Sequence, residues 1–432
     1  MKRRSFIKKA AVATAGLITA PYILPSGRLF AKSGTRLVDH VVFCLYAGGV
    51  RNLESVQKAD GNLMPYSLSG TESISGDIAG AMSSLPERLG SPLQSFGTLF
   101  KEFRYASGPT GHYNGHTTAL TGNYTINEIN LKQSPKYPTV FEYYRKHSEP
   151  SKSALNAWWI ADSLGPYPQL NYSEYPGYGP LYGANYMQPG SLISPTAFDV
   201  IGNPKSFGEK EFDQAEELRS FFNSQFDKKA SGDSAVSNTL EDQLRIQAFI
   251  QDVYSNRILE YSDPWGIGTQ NVNNDVFNLF AASKVLEEFK PELLVVNMQG
   301  VDICHSNFTQ YCDNLRKADF ALYQLWNSIQ QIPEMRDNTL LIAAPEHGRN
   351  LEPNTVIDGY GRFAIDHTNT DTAREIFCMI LGPQGIVNQN NSISSVAGES
   401  IDVVPTIARA LGFYDDIPRG MLPGRFLEEA FI

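Results

Sequence analysis

Seven histidines are spread over the 432 residues of this chain, and five of them, His112, His116, His305, His347 and His367, lie among Gly, Asp, Glu or Asn residues. Three of the five stand close to a carboxylate. Asp302 and His305 lie three positions apart, Glu346 is followed at once by His347, and Asp366 precedes His367. Imidazole and carboxylate together suit Zn²⁺ or a similar divalent ion, because they bring charge and directional lone pairs within a short reach. An ion held in this way would act as a Lewis acid. A lone histidine in a loop is more often a capping or surface residue; several at strand ends are harder to dismiss.

The elements that must position these residues are legible as apolar runs. His40-Val41-Val42-Phe43-Cys44-Leu45-Tyr46 ends at Ala47-Gly48-Gly49 and reads as a buried strand followed by a turn. Similar runs recur at Leu293–Asn297, Thr339–Ala344 and Ile376–Leu381. Their lack of polar alternation predicts a sheet covered on both faces. Between the first two of these later runs, Leu315, Ala318, Leu322, Leu325 and Ile329 predict a helix from about Asp313 to Gln331, with Pro333 just beyond. Strand, helix, strand is the unit of an open α/β sheet, whose ligands gather at the carboxyl ends of its strands. Asp302, His305, Glu346 and His347 follow such ends.

Two middle regions differ in kind. Residues from about 123 to 202 are rich in Tyr, Pro, Gly and Asn and predict either a loop-rich cap, a surface for a protein or glycan partner, or a run of ordinary turns. Residues from about 209 to 290 read as two or three helices with a polar break near Ser231-Gly232-Asp233-Ser234. Together, residues 123–290 are expected to form a cap or insertion.

Gly300-Val301-Asp302-Ile303-Cys304-His305 resembles the loop that supplies two ligands of the first metal in the alkaline phosphatase and sulfatase superfamily, with a spacing one residue shorter than the commonest form. Glu346-His347-Gly348-Arg349 resembles the Asp-His-Gly loop whose carboxylate and imidazole bind that family's second metal, here with Glu in place of Asp. His367 matches the late histidine that completes the first site. Ile401-Asp402-Val403-Val404-Pro405-Thr406-Ile407-Ala408, followed by Leu411-Gly412, resembles the closing helix of sulfatases and related phosphodiesterases. The resemblance runs from about Asp39 to Gly412 and is strong only in residues 293–412. It implies a three-layer αβα sandwich over residues 32–432, one or two divalent ions (Zn²⁺, or else Mn²⁺ or Ca²⁺), and a small anionic ester or a phosphorylated or sulfated polymer as substrate.

Two departures stand against that pattern. The family's first strand ends in a metal-binding Asp, whereas this chain has Ala47, and a methyl group cannot ligate. Counting back from Leu120-Thr121-Gly122 puts the family's hydroxyl nucleophile at His112. Three readings stay open: His112 joins Glu346 and His347 as a ligand of the second ion, so that metal-bound hydroxide attacks directly; His112 itself attacks phosphorus; or the site is degenerate and the domain is a binding or assembly module. Arg349 or Arg51 could hold the anionic ester, or else Arg349 could pair with an acidic neighbour and Arg51 could be structural. His116 is expected to support a ligand or to start a helix rather than to ligate, and Asp366 to support a ligand or merely to form a turn. A formylglycine sulfatase is disfavoured, since Thr110-Gly111-His112-Tyr113-Asn114 has no Cys or Ser.

The whole chain narrows the partners. A formal charge of −10 argues against nucleic acid, because the basic residues are scattered apart from the extreme N-terminus. There, Arg3-Arg4-Ser5-Phe6-Ile7-Lys8-Lys9 precedes a short Ala-rich apolar run and resembles a twin-arginine export signal, with cleavage expected after Ala31. That resemblance implies a twin-arginine translocase as partner and a periplasmic or secreted location, with an uncleaved anchor as the alternative. Four cysteines do not make a disulfide scaffold: Cys44 and Cys378 are expected as packed apolar groups, whereas Cys304 and Cys312 are close enough in sequence to bridge.

Overall fold

A computed structural model of the protein describes residues 35–127, 133–148, 152–161, 170–189 and 236–432. The expected export signal (1–31) and the polar break at 231–234 lie outside the described residues. Eight strands are β1 (His40–Tyr46), β2 (Gly97–Arg104), β3 (Ala157–Ile160), β4 (Asn185–Met187), β5 (Leu293–Met298), β6 (Thr339–Pro345), β7 (Glu375–Leu381) and β8 (Asn391–Glu399). They form one sheet in the order β4-β3-β5-β1-β6-β7-β2-β8. Only β7 runs against the others.

Strand β1 is central because both of its faces are apolar. Val42, Cys44 and Tyr46 enter one buried cluster, and Val41, Phe43 and Leu45 the other. The first cluster is closed by α2 (Leu240–Asp252), α3 (Asn274–Phe289) and α4 (Phe308–Gln331), and the second by α1 (His112–Thr121) and α5 (Val403–Ala410). The chain is therefore an αβα sandwich, as its apolar runs predict.

Two expectations are revised by local structure. Helix α4 starts at Phe308 rather than near Asp313, because the Asn307 side chain caps it by accepting the Gln310 amide at 2.8 Å. In the region expected as a cap, residues 157–160 and 185–187 are β3 and β4 of the main sheet, and α2 and α3 pack on its face. The described part of 123–290 thus builds the sandwich instead of standing apart from it. Its turns are tied down by the buried Glu142 carboxylate, which accepts from the backbone of Thr139, Ser173 and Gly179 and from the Ser173 hydroxyl.

All four cysteines are buried free thiols, so Cys304 and Cys312 are not bridged. No described helix is long and apolar enough to cross a membrane.

Candidate metal centre

The register of the sheet brings the carboxyl ends of β1, β5 and β6 level, with Tyr46 opposite both Met298 and Pro345. Each end then hands the chain to a ligand segment. After β5, residues Gly300–His305 form a 3₁₀ turn. Side chains three apart on such a turn lie on one face, which gives a physical reason for the Asp302–His305 spacing. Glu346 and His347 follow β6 directly, His112 is the first residue of α1, and His367 lies on the loop before β7.

These residues form two groups whose ligand atoms lie within 4.8 Å of one another: His112, Asp302, His305 and His367, and His112, Glu346 and His347. His112 belongs to both. Its Nε2 is 2.8 Å from Asp302 Oδ1 and 3.1 Å from His367 Nε2. Its Nδ1 is 2.7 Å from Glu346 Oε1 and 3.3 Å from His347 Nε2.

The other three imidazoles are turned by oxygen acceptors. His305 Nδ1 is 2.7 Å from Asp366 Oδ1, His347 Nδ1 is 2.8 Å from the Gly348 carbonyl, and His367 Nδ1 is 2.6 Å from the Thr110 carbonyl. Hydrogen bonding therefore assigns the proton to Nδ1 in each, leaving a lone pair on Nε2. Yet His305 Nε2 and His367 Nε2 face each other at 2.9 Å. Two lone pairs at that distance repel, and a cation between them turns the repulsion into ligation. The donor set therefore fits a divalent ion. Zn²⁺ with bonds of about 2.0–2.1 Å in a tetrahedron sets ligand atoms roughly 3.3–3.4 Å apart, so the atoms here, 2.7–3.3 Å apart, would part by a few tenths of an ångström to admit it.

Burial opposes charge on His112, but the Glu346 and Asp302 carboxylates outweigh it and push the imidazole up to about 9. Against the same burial, the surrounding imidazoles hold Glu346 and Asp302 below the usual carboxylate range. Burial pushes His347 and His367 down, and His367 is lowered further by the neighbouring His347 and His112.

The metal-free cluster thus keeps a proton on His112, and an ion must displace it. Affinity for the first equivalent of Zn²⁺ is expected to rise by up to about tenfold per pH unit between 6.5 and about 9, then to level off. Competition with a chromophoric chelator across that window measures it, and a flat profile would contradict it. Stability of the metal-free protein has the opposite sign: the contribution of His112 is full below pH 6.5 and is lost as pH rises through about 9.

No protein-family model matches the chain, and no curated protein sequence matches it. Solved structures do. The chain resembles alkaline-phosphatase-like structures in fold. Wild-type alkaline phosphatase PafA is 9% identical, with 93% of this chain and 100% of that one covered at a TM-score of 0.48. The phosphonate monoester hydrolase of Silicibacter pomeroyi is 14% identical, with 90% and 76% covered at 0.43. The lipoteichoic acid synthase LtaP of Listeria monocytogenes is 10% identical, with 91% and 74% covered at 0.41. Such identities bear on overall shape alone, and the chemistry of this chain rests on its own side chains.

Arg349 does not stand where an anion-binding residue would. Its guanidinium is fully buried and donates to the main-chain carbonyls of Gly49 (3.0 Å), Ile365 (2.9 Å), Val301 (3.0 Å) and Gly48. It pins the loops that carry Asp302 and His367 to the end of β1. Arg51 is likewise committed, to both oxygens of Glu54 and to the carbonyls of Asn350 and Leu351. His116 is buried in α1 with Nδ1 beside Glu346 Oε2 and Nε2 3.0 Å from the Asn297 amide, so it supports a ligand.

Gly48 and Gly49 have φ of 149° and 81°. A β-carbon at Gly48 would lie 2.7 Å from the Asp302 nitrogen, and one at Gly49 would collide with the His347 ring. The end of β1 therefore contributes bare backbone, against which Asp302 and His347 rest. Sequence reading missed the supporting roles of the Thr110 carbonyl and of Asn354, whose amide is 3.0 Å from Asp366 Oδ1. A main-chain acceptor leaves no trace in residue type.

Proposed function

We propose that the chain is an exported, metal-dependent hydrolase of phosphate or sulfate esters. The observation that carries this reading is the convergence of imidazole lone pairs and two carboxylates on two adjoining positions. Four residues face one position and three the other, with His112 counted in both. An ion with three protein ligands keeps a coordination place open, the arrangement associated with hydrolysis, whereas a four-ligand set is closed. When bound, a divalent ion supplies Lewis acidity, which acidifies water and withdraws charge from ester oxygens. Zn²⁺ suits the mixed nitrogen and oxygen set best, with Mn²⁺ or Ca²⁺ as alternatives.

His112 occupies the place where the family resemblance puts a hydroxyl nucleophile. Both of its nitrogens are engaged, by Asp302 and Glu346, which favours direct attack of water over a covalent intermediate on the ring. The ester class follows from the ordered motifs at Asp302–His305, Glu346–His347 and His367. It covers a small anionic ester or a phosphorylated or sulfated polymer, and nucleic acid is disfavoured by charge. The paired arginines near the N-terminus support export through a twin-arginine translocase to the periplasm or beyond.

Purified protein should carry one or two equivalents of metal and cleave at least one activated aryl phosphomonoester, phosphodiester or sulfate. His347→Ala should reduce that turnover by more than about 100-fold, beyond the usual effect of losing a ligand's outer hydrogen-bond partner. Absence of both metal and turnover across the panel would sink the proposal.

A second reading is favoured by the commitment of Arg349 and Arg51, which leaves neither to hold an anionic ester. In it the domain is a catalytically degenerate binding or assembly module whose Tyr/Pro/Gly-rich segment meets a protein or glycan. It predicts a biological phenotype that survives His112→Ala and His347→Ala and is lost on substitutions within residues 160–190.

A further inference from the structure

The geometry points to His112 as a ligand shared by both ion positions, joining them through the two nitrogens of one ring. The inference rests on the proposed ion binding and goes beyond it, since the sequence reading gives His112 at most to the second ion. Three observations carry it.

The first is partnership. Each of the other three histidines spends Nδ1 on an oxygen outside the ligand set and offers only Nε2. His112 is different: Nε2 faces Asp302 and His367, Nδ1 faces Glu346 and His347, and all four of these residues are themselves ligand candidates. The second is separation. The distances of 2.8 and 3.1 Å on one side and 2.7 and 3.3 Å on the other lie at or a few tenths of an ångström below the roughly 3.3–3.4 Å edges of a tetrahedral Zn²⁺ site, so small outward shifts admit an ion on each side of the ring. The third is placement. As the first residue of α1, His112 has its backbone fixed by the helix, and its carbonyl lies 2.9 Å from His116 Nδ1. The ring is held between the β5 and β6 ligand segments.

Metal-free His112 carries a proton on each nitrogen, so ligation through both requires that two protons leave for solvent. The ring then carries a single negative charge shared by two cations. This accounts for the lost carboxylate at position 47: the bridge supplies both a donor atom and an anionic charge to the second position without any side chain from the end of β1.

Paramagnetic substitution tests the bridge without reference to activity. Metal-free, full-length protein is loaded with one and then two equivalents of Cu²⁺, bound copper is counted by elemental analysis, and unpaired spins are counted by low-temperature electron paramagnetic resonance. An imidazolate bridge couples the two ions, so the spin count at two bound equivalents is expected to fall well below the copper content. Two bound ions with a full spin count would overturn the bridge while leaving ion binding intact. Failure to bind Cu²⁺, Zn²⁺ or Co²⁺ would overturn the ion-binding reading itself, and the bridge with it. Competition titrations of His112→Ala give the second arm: a shared ligand predicts affinity at least about tenfold weaker at both positions. Weakening confined to one position assigns His112 to that position alone and rejects the bridge.

Discussion

Arg349→Met is expected to lower the melting temperature of the metal-free protein by roughly 4–13 °C, or to leave it insoluble. The guanidinium serves four main-chain carbonyls, of Gly48, Gly49, Val301 and Ile365, which belong to three separate segments. Methionine fills much of the same volume but donates nothing, and each buried acceptor left without a donor costs about 1–3 kcal/mol. The sum is comparable with the 5–15 kcal/mol that typically separates folded from unfolded states. Asp302 is a minor part of this balance, since it lies 3.7 Å from the nearest guanidinium nitrogen and is partly exposed. Arg349→Lys should fall between wild type and methionine, because an ammonium cannot span the four acceptors. Thermal unfolding monitored by circular dichroism measures the effect. A methionine variant melting within about 2 °C of wild type would show that the clamp is dispensable.

The second large effect is on metal retention. Asp302→Ala removes the only carboxylate of the four-residue group, and with it the anionic charge that offsets a dication there. Affinity at that position is expected to fall by more than about 100-fold, and turnover with it, whereas loss of an outer partner typically costs about 10–100-fold. Asp366→Ala provides the internal comparison, because Asp366 fixes the His305 ring through Nδ1 at 2.7 Å and takes no place in either ligand group. Calorimetric or chelator-competition titrations of the two variants should therefore rank Asp302 well above Asp366. Equal losses would mean that ring orientation, and not charge, controls binding.

Much of the fold was legible because β1, β5, β6 and β7 are buried on both sides and so appear as unbroken apolar runs. Strands β3 and β4 were hidden: they are only four and three residues long and lie among turn-forming residues. Strand β8 escaped for a different reason. At the edge of the sheet, its residues Asn391-Ser392-Ile393-Ser394-Ser395 are largely polar and solvated, and nothing in their pattern requires a strand. Asp302, His305, Glu346, His347 and His367 were readable as a set because metal chemistry restricts residue type. The sharing of His112 was not, since one letter in a sequence cannot show which way each ring nitrogen points. Arg349 misled for a similar reason: an arginine beside a candidate ligand looks the same whether it meets a phosphate or four carbonyls.

The bare backbone at the end of β1 also limits what this turn can become. Positions 48 and 49 are closed to side chains, because any β-carbon there would displace Asp302 or His347. A carboxylate could enter the turn only at position 47, where the methyl of Ala47 sits in the apolar cluster that includes Leu45, Leu120 and Ala344. A substitution there would have to place an anion among apolar neighbours before it could be of use. The turn is thus a wall of the site, and a further donor has to come from a segment facing it, as His112 does from the start of α1.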